Sequence, residues 1–377
     1  MNKWRPLLER LASVRLTLFC IAFLMVLVLF GTLAQVQIGT FAAQKMYFNS
    51  FWIYKDILGM DVPVLPGGLT VGAVWMVNLL AAFAVRFDYE RKHLGILLSH
   101  FGLIVLFGGQ FLAQTLGRES QMPIEIGQSS NFSESFRDME LAVSGDVDSD
   151  IDEVTVIPER ALRREGRIEI PRQPYFLNIK KYIRNAQVGM GAPGTHSMAT
   201  RGIGLQVSVQ EADPVSSDDE INNVSAFVEV LEGERSLGTW LVSFGLGAPQ
   251  SFDLGGKKYR LMMRLARRYY PFTLTLKEFH HDIYPGTDIP KNFSSLVRLT
   301  DPEKNESRDA LIYMNNPLRY AGHTFYQASF GKNDTLSVFQ VVKNPAWLTP
   351  YISCFLVVLG LGIRFFGHLS SFARRPS

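Results

Sequence analysis

One histidine stands where a charge is costly. His100 falls inside an apolar run from about Leu94 to Thr115, LGILLSHFGLIVLFGGQFLAQT. An ionisable side chain within hydrocarbon is expensive and marks a functional candidate. Neutral imidazole ligates iron and zinc well. The competing reading is a histidine hydrogen-bonded to a neighbouring helix, and the residues alone favour neither. Counted from Leu94 at 1.5 Å per residue, His100 lies about 9 Å along the axis, nearer the cytoplasmic face than the centre. Gly95, Gly102 and Gly109 recur every seven residues. They drift about 20° per step and so form one small-residue stripe suited to close helix packing. At about 100° per residue His100 sits about 140° around the helix from Gly95, with His93 near it. The glycine face should therefore pack on the chain's own helices. The histidine face should point elsewhere, at another protein or a bound group.

The remaining candidates carry less. Asn78 lies in another apolar run, where an interhelical hydrogen bond is its expected role. Cys20 and Cys354 also fall in apolar runs and should behave as small apolar residues. His280 and His281 are adjacent on an expected strand and face opposite ways, so a shared metal site is not expected. His196 and His323 read as satisfied surface groups. The acidic stretches Asp146–Glu153 and Glu211–Glu220 lack calcium-loop spacing and read as solvated loops. The glycine-rich Gly189–Gly194 fits no phosphate-binding pattern. Lys257–Arg268 holds six basic residues, read first as a strand surface and otherwise as a contact for lipid headgroups or an anion. There is no nucleophile elbow, zinc-protease motif or C-x-x-C pair, and no catalytic residue is assigned.

The elements that must hold these residues follow from composition. The 377 residues are 47% hydrophobic and only 19% charged, against about 25% charged in soluble proteins. The net charge is +3, with no concentrated basic face, which argues against nucleic acid as a partner. Two cysteines are too few for a disulfide framework or a cysteine-ligated zinc. The apolar residues gather into four runs long enough to cross a bilayer, residues 14–36, 69–87, 94–115 and 347–366. The first is read as a retained span and not a cleaved signal, because its apolar run is too long and no small-residue cleavage site follows.

Three short basic flanks set the orientation: Lys3, Arg5, Arg10 and Arg15; Arg86, Arg91 and Lys92; and Arg364, Arg374 and Arg375. Four spans put all three on one side, so residues 1–13 and 367–377 are expected in the cytoplasm. Residues 37–68 and 116–346 are then extracytoplasmic, and the setting is a cell (inner) membrane. In the first outer loop, Phe48, Phe51, Trp52, Tyr54, Ile57 and Leu58 suggest an amphipathic helix at the interface or a lid on the spans.

Residues 116–346 alternate apolar and polar at Arg167–Ile170, Gly204–Gln210, Ala226–Leu231, Tyr259–Leu265, Phe272–Phe279 and Leu336–Val342. Roughly a dozen short strands are expected, with little helix, as an antiparallel sandwich-like β domain between the third and fourth helices.

At this level of detail the chain resembles the ResB (CcsB) family of the System II cytochrome c biogenesis pathway. The resemblance is carried by Gly31–Thr32 and Gln35 at the end of the first span and by HLGILLSHFGLIVLFGG from His93 to Gly109. It continues in FHHDIYPGTDIPKNFSSLVRL from Phe279 to Leu299 and NNPLRYAGHTFYQASF from Asn315 to Phe330.

The resemblance implies a subunit that pairs with a multispan ResC (CcsA) protein. Together the two carry haem b across the membrane, keep its iron reduced and attach its vinyl groups to the CxxCH cysteines of apocytochrome c. It implies a thiol-reducing partner as well. His100 matches the family's third-span histidine, a proposed axial ligand of the haem iron. The family's tryptophan-rich haem-presenting motif belongs to the partner, and the five tryptophans here are scattered. The chain is then non-catalytic alone and part of a haem-lyase complex. The rivals from other classes are a membrane-anchored β-domain sensor or an assembly scaffold, neither of which needs His100.

Overall fold

A computed structural model describes residues 5–57, 59–86, 90, 93–145, 153–191, 197–215, 220–286 and 290–373. Four helices are long and apolar enough to cross a membrane, and a large antiparallel strand domain lies in the chain between the third and the fourth. The helical unit runs to Arg118 and resumes at Lys343, and the strand unit lies between.

In the helical unit, α1 (Arg5–Leu11) is followed after a break by α2 (Val14–Ile38) and α3 (Thr40–Ala43). The break has a partner in α4 (Gly68–Val85). The buried Asn78 amide donates to Leu11 O at 2.5 Å and Ser13 O at 3.1 Å, and its oxygen accepts from Thr17 Oγ1 at 2.6 Å. The bond to Leu11 O occupies a carbonyl that the ending helix leaves open, while Ser13 O, at the start of α2, also accepts from Thr17 N at 3.2 Å. Asn78 thus makes the interhelical bonds expected of it.

The outer loop departs from expectation. In place of an interfacial helix, a π-helical turn (Gln44–Phe48) leads into a hairpin of β1 (Trp52–Ile57) and β2 (Met60–Pro66). Pro63 and Pro66 oppose helix, and Gly59 takes φ 80° in the tight turn, its N–H donating to Asp56 Oδ1 at 2.7 Å. Leu58 lies outside the described residues.

The third spanning helix is α5 (Leu94–Leu116) and the last is α7 (Thr349–Ala373). Pro350 stands in the first turn of α7, where its missing N–H costs no bond.

The strand unit opens with β3 (Arg118–Glu125), β4 (Ser129–Gly145) and β5 (Glu153–Pro158), then the one-turn α6 (Glu159–Leu162). Next come β6 (Gly166–Glu169), β7 (Phe176–Ile183), β8 (Ala186–Met190) and β9 (Val207–Glu211). β10 (Ser225–Glu232), β11 (Arg235–Ser243), β12 (Gln250–Leu254) and β13 (Lys257–Ile283) follow. The unit ends with β14 (Pro290–Asp301), β15 (Glu306–Tyr313), β16 (Leu318–Tyr320), β17 (His323–Gly331) and β18 (Leu336–Lys343).

Two cores share long strands. The sheet β11-β10-β7-β6 packs against β4, β5, β12 and the first half of β13 through Val228, Leu177, Leu141, Leu261 and their neighbours, which makes the expected sandwich. The rest of the main sheet, ordered β15-β14-β13-β4-β3-β18-β17-β16, curls so that both of its ends reach one second core. Ile312 of β15 and Leu318 of β16 join Phe272, Phe325 and Phe339 there. Full burial of each such side chain contributes about 1.5–3 kcal/mol.

Two alternating stretches expected as separate strands are one strand, β13, of 27 residues. Pro271 interrupts its pattern but falls between Tyr269 and Leu274, where the register against β4 slips and a ladder N–H is not needed. The Gly204–Gln210 stretch is a strand only from Val207. A 3-10 turn takes Gly202–Leu205, with Gly202 at φ 68°.

Candidate functional site

The glycine stripe of α5 meets α7. Gly95, Gly102 and Gly109 are the buried residues of α5. A Cβ on Gly95 would lie 2.6 Å from Gly360 O, and one on Gly102 would lie 3.0 Å from Ser353 O. Such distances mean that backbone rests on backbone. Ser353 Oγ donates to Gly102 O at 2.8 Å across this contact.

His100 lies off that face and is half-buried. Its Nδ1 is 3.0 Å from Ile96 O. A carbonyl can only accept, so Nδ1 carries a proton, and in the neutral ring Nε2 then holds the lone pair. Donation from one ring nitrogen to a carbonyl is the arrangement that readies the other for a metal. The donor therefore fits iron ligation in type and tautomer.

The surroundings of the His100 face differ from expectation. Phe107, seven residues beyond His100, packs its ring on Trp75 of α4 with centroids 4.8 Å apart. Phe101 lies 6.3 Å from Phe83 of α4. The side of α5 that carries His100 is therefore flanked by the chain's own α4 and is not turned wholly outward. The geometric reason is that α5 is sandwiched, with its glycines on α7 and its aromatics on α4.

The helix row of His93, His100, Phe107 and Gln114 is polar at both ends. His93 caps α5, and its buried Nδ1 has no hydrogen-bond partner among the described residues. At the other end Gln114 Nε2 donates to Asn49 Oδ1. Beside Trp75, an apolar groove of about 570 Å³ is lined by Ile21, Leu24, Met25, Val28 and Leu29 of α2 and by Thr32. Nothing in the sequence announced the groove, because it needs α2 and α4 side by side.

The other candidates fall apart from His100. Cys20 is buried and Cys354 is exposed, and both are free thiols. His280 is exposed, with Nε2 3.2 Å from Glu278 Oε2, while His281 turns the opposite way. His323 Nδ1 donates to Ala321 O at 2.9 Å. His196, most of the first acidic stretch and the second half of the glycine-rich loop lie outside the described residues. Among the described residues no three His, Cys, Asp or Glu side chains cluster as a metal site.

Residues 250–338 match the model of the ResB-like family, a segment that begins at β12 and covers most of the curled sheet. Protein NrfI of Wolinella succinogenes is 22% identical over 360 residues, which cover 88% of this chain and 32% of NrfI. The chain thus spans about a third of the length of the curated relative it matches. The two matches bear out the ResB resemblance carried by the sequence motifs.

Proposed function

We propose that this ResB-like protein is the haem-handling subunit of a System II cytochrome c synthase complex. Its role is to take part in moving haem b across a cell membrane and presenting it for attachment to apocytochrome c. The observation that carries the reading is His100: an intramembrane imidazole whose Nδ1 proton is committed to Ile96 O. With the proton on Nδ1, Nε2 carries the lone pair that would ligate haem iron on the cytoplasmic half of α5.

The partners in this reading are a ResC (CcsA)-type multispan protein, apocytochrome c and a thiol reductant that keeps the CxxCH cysteines reduced. Attachment adds a cysteine S–H across a vinyl C=C, sulfur to one carbon and hydrogen to the other, so the bond-forming step consumes no oxidant. No residue of this chain is assigned to that step. Arg5, Arg10, Arg15 and Arg86 support termini in the cytoplasm and the strand unit outside.

The test is His100→Ala in the complex purified with its multispan partner. Loss of one transmembrane hydrogen bond costs about 0.6 kcal/mol. The glycine contact with α7 is untouched, so protein level and partner association should hold. Haem content should fall and cytochrome c maturation should fail, and added imidazole should restore part of both. His93→Ala should be milder. A His100→Ala complex with unchanged haem content and spectrum refutes the proposal.

A further inference from the structure

A second histidine, in the strand unit, has a buried ring nitrogen with no hydrogen-bond partner among the described residues. His281 stands near the end of β13, opposite Phe293 of β14. Its Nδ1 lies 3.2 Å from Asp334 Oδ1, and its side chain is only 13% exposed. A carboxylate beside Nδ1 holds the proton there and makes Nε2 the basic nitrogen. That Nε2 is buried and has no hydrogen-bond partner among the described residues. A buried polar atom without a partner calls for an explanation, and an absent ligand is one.

The walls around it are aromatic. The Phe330 ring lies 4.3 Å from the imidazole, and Phe279 and Phe293 each lie 5.6 Å from Phe330. Below them Ser295 and Ser337 are 2.9 Å apart and close the interior of the curled sheet with Gln327. The place is therefore the mouth of a barrel-like sheet, a common position for ligands.

One edge of the mouth is the β17–β18 turn, where Lys332, Asn333 and Asp334 stand consecutively at φ 50°, 53° and 66°. Three successive left-handed residues without glycine are strained, and strain of this kind gathers at ligand clamps. The turn carries Asp334, which fixes the Nδ1 proton, and it follows directly on Phe330.

The ligand class follows from what is missing. A free divalent cation needs three or four donors, and no such group exists among the described residues. A metal that brings its own equatorial ligands needs one imidazole and flat apolar walls. We propose that His281 is an axial ligand for haem iron at the mouth of the curled sheet, a second haem contact distinct from His100. The proposal rests on the haem-handling reading and adds an extracytoplasmic station to it.

The experiment titrates the purified 377-residue chain with haemin and follows the Soret band. His100→Ala should retain one binding event, and the double variant His100→Ala, His281→Ala should lose it. Asp334→Asn, a change on an exposed turn, should keep haemin bound in the His100→Ala background but raise its midpoint potential, because the imidazole becomes less basic. Residual binding that His281→Ala leaves unaltered in a folded protein overturns the proposal while the His100 reading stands. So does an Asp334→Asn potential equal to that of its parent. Zinc ion taking the same site with the same His281 dependence overturns the choice of ligand. If the wild-type chain and its complex with the multispan partner bind no haemin at all, the haem-handling reading falls, and this proposal with it.

Discussion

Gly95 and Gly360 face one another across α5 and α7 so closely that neither can carry a side chain. A Cβ on either would come within 2.6 Å of the carbonyl oxygen of the other. Backbone cannot yield as a flexible side-chain tip can. Replacing either by alanine should therefore push the helices apart, at a cost of about 1–3 kcal/mol typical of overpacking. Thermal stability of the detergent-solubilised chain measures it. Gly108→Ala is the control, since a Cβ there meets nothing within 4 Å. Equal melting of Gly95→Ala, Gly360→Ala and Gly108→Ala would refute the close contact.

Asn78 makes a second prediction, at the break between α1 and α2. Asn78→Leu keeps the branched outline but removes the bonds to Leu11 O, Ser13 O and Thr17 Oγ1, and leaves Leu11 O open. At about 0.6 kcal/mol per transmembrane hydrogen bond, three lost bonds total roughly 2 kcal/mol. Asn78→Asp should be worse, because a carboxylate would face two carbonyl oxygens. Protease cleavage at Arg10 should rise in both variants, in that order, and unchanged protection would count against the clamp.

The strand unit should respond to acid through Asp309. Arg298 donates to it twice, at 2.8 and 3.2 Å, and Lys277 once at 2.8 Å. These bonds, that of Arg298 first, hold its carboxyl down to about 2. A carboxyl whose pKa is lowered by folding adds stability above its unfolded value of about 3.9, and that stability is lost as pH falls toward about 2. Asp309→Asn should therefore lose less stability than wild type across this window, by circular-dichroism melting at each pH. Parallel curves would show that the three bonds contribute nothing.

The two thiols should separate by exposure. Cys354 is exposed and Cys20 is buried. A lipid-soluble maleimide should label Cys354 and spare Cys20 in the native chain. The double variant Cys20→Ala, Cys354→Ala should still support cytochrome c maturation. Failure at a normal protein level would give the thiols a role denied them here.

Orientation is testable apart from chemistry. Reporter fusions after Gly145 should be active outside the cytoplasm, and fusions after Tyr89 or at the C-terminus should be active inside. A Tyr89 fusion facing outward would remove the four-span arrangement.

What the sequence determined by itself is whatever depends on local composition and period. Four apolar runs must be helices in a bilayer, because unpaired backbone there has no other partner. The seven-residue glycine spacing already marked a packing face, and Asn78 already implied an interhelical bond. The position of His100 off the glycine face was legible for the same reason.

Tertiary structure decided the rest. The outer loop became a hairpin, because pairing of Trp52–Ile57 with Met60–Pro66 outweighed an amphipathic pattern too short to hold a helix. β13 ran through Pro271 because a register slip against β4, remote in sequence, removed the need for its N–H. Phe107 found Trp75, and His281 found Asp334 and Phe330, only when strands and helices far apart in the chain came together. A residue's type limits the chemistry it can do. The long-range contacts that fix its tautomer, burial and neighbours are written in no local window of the sequence.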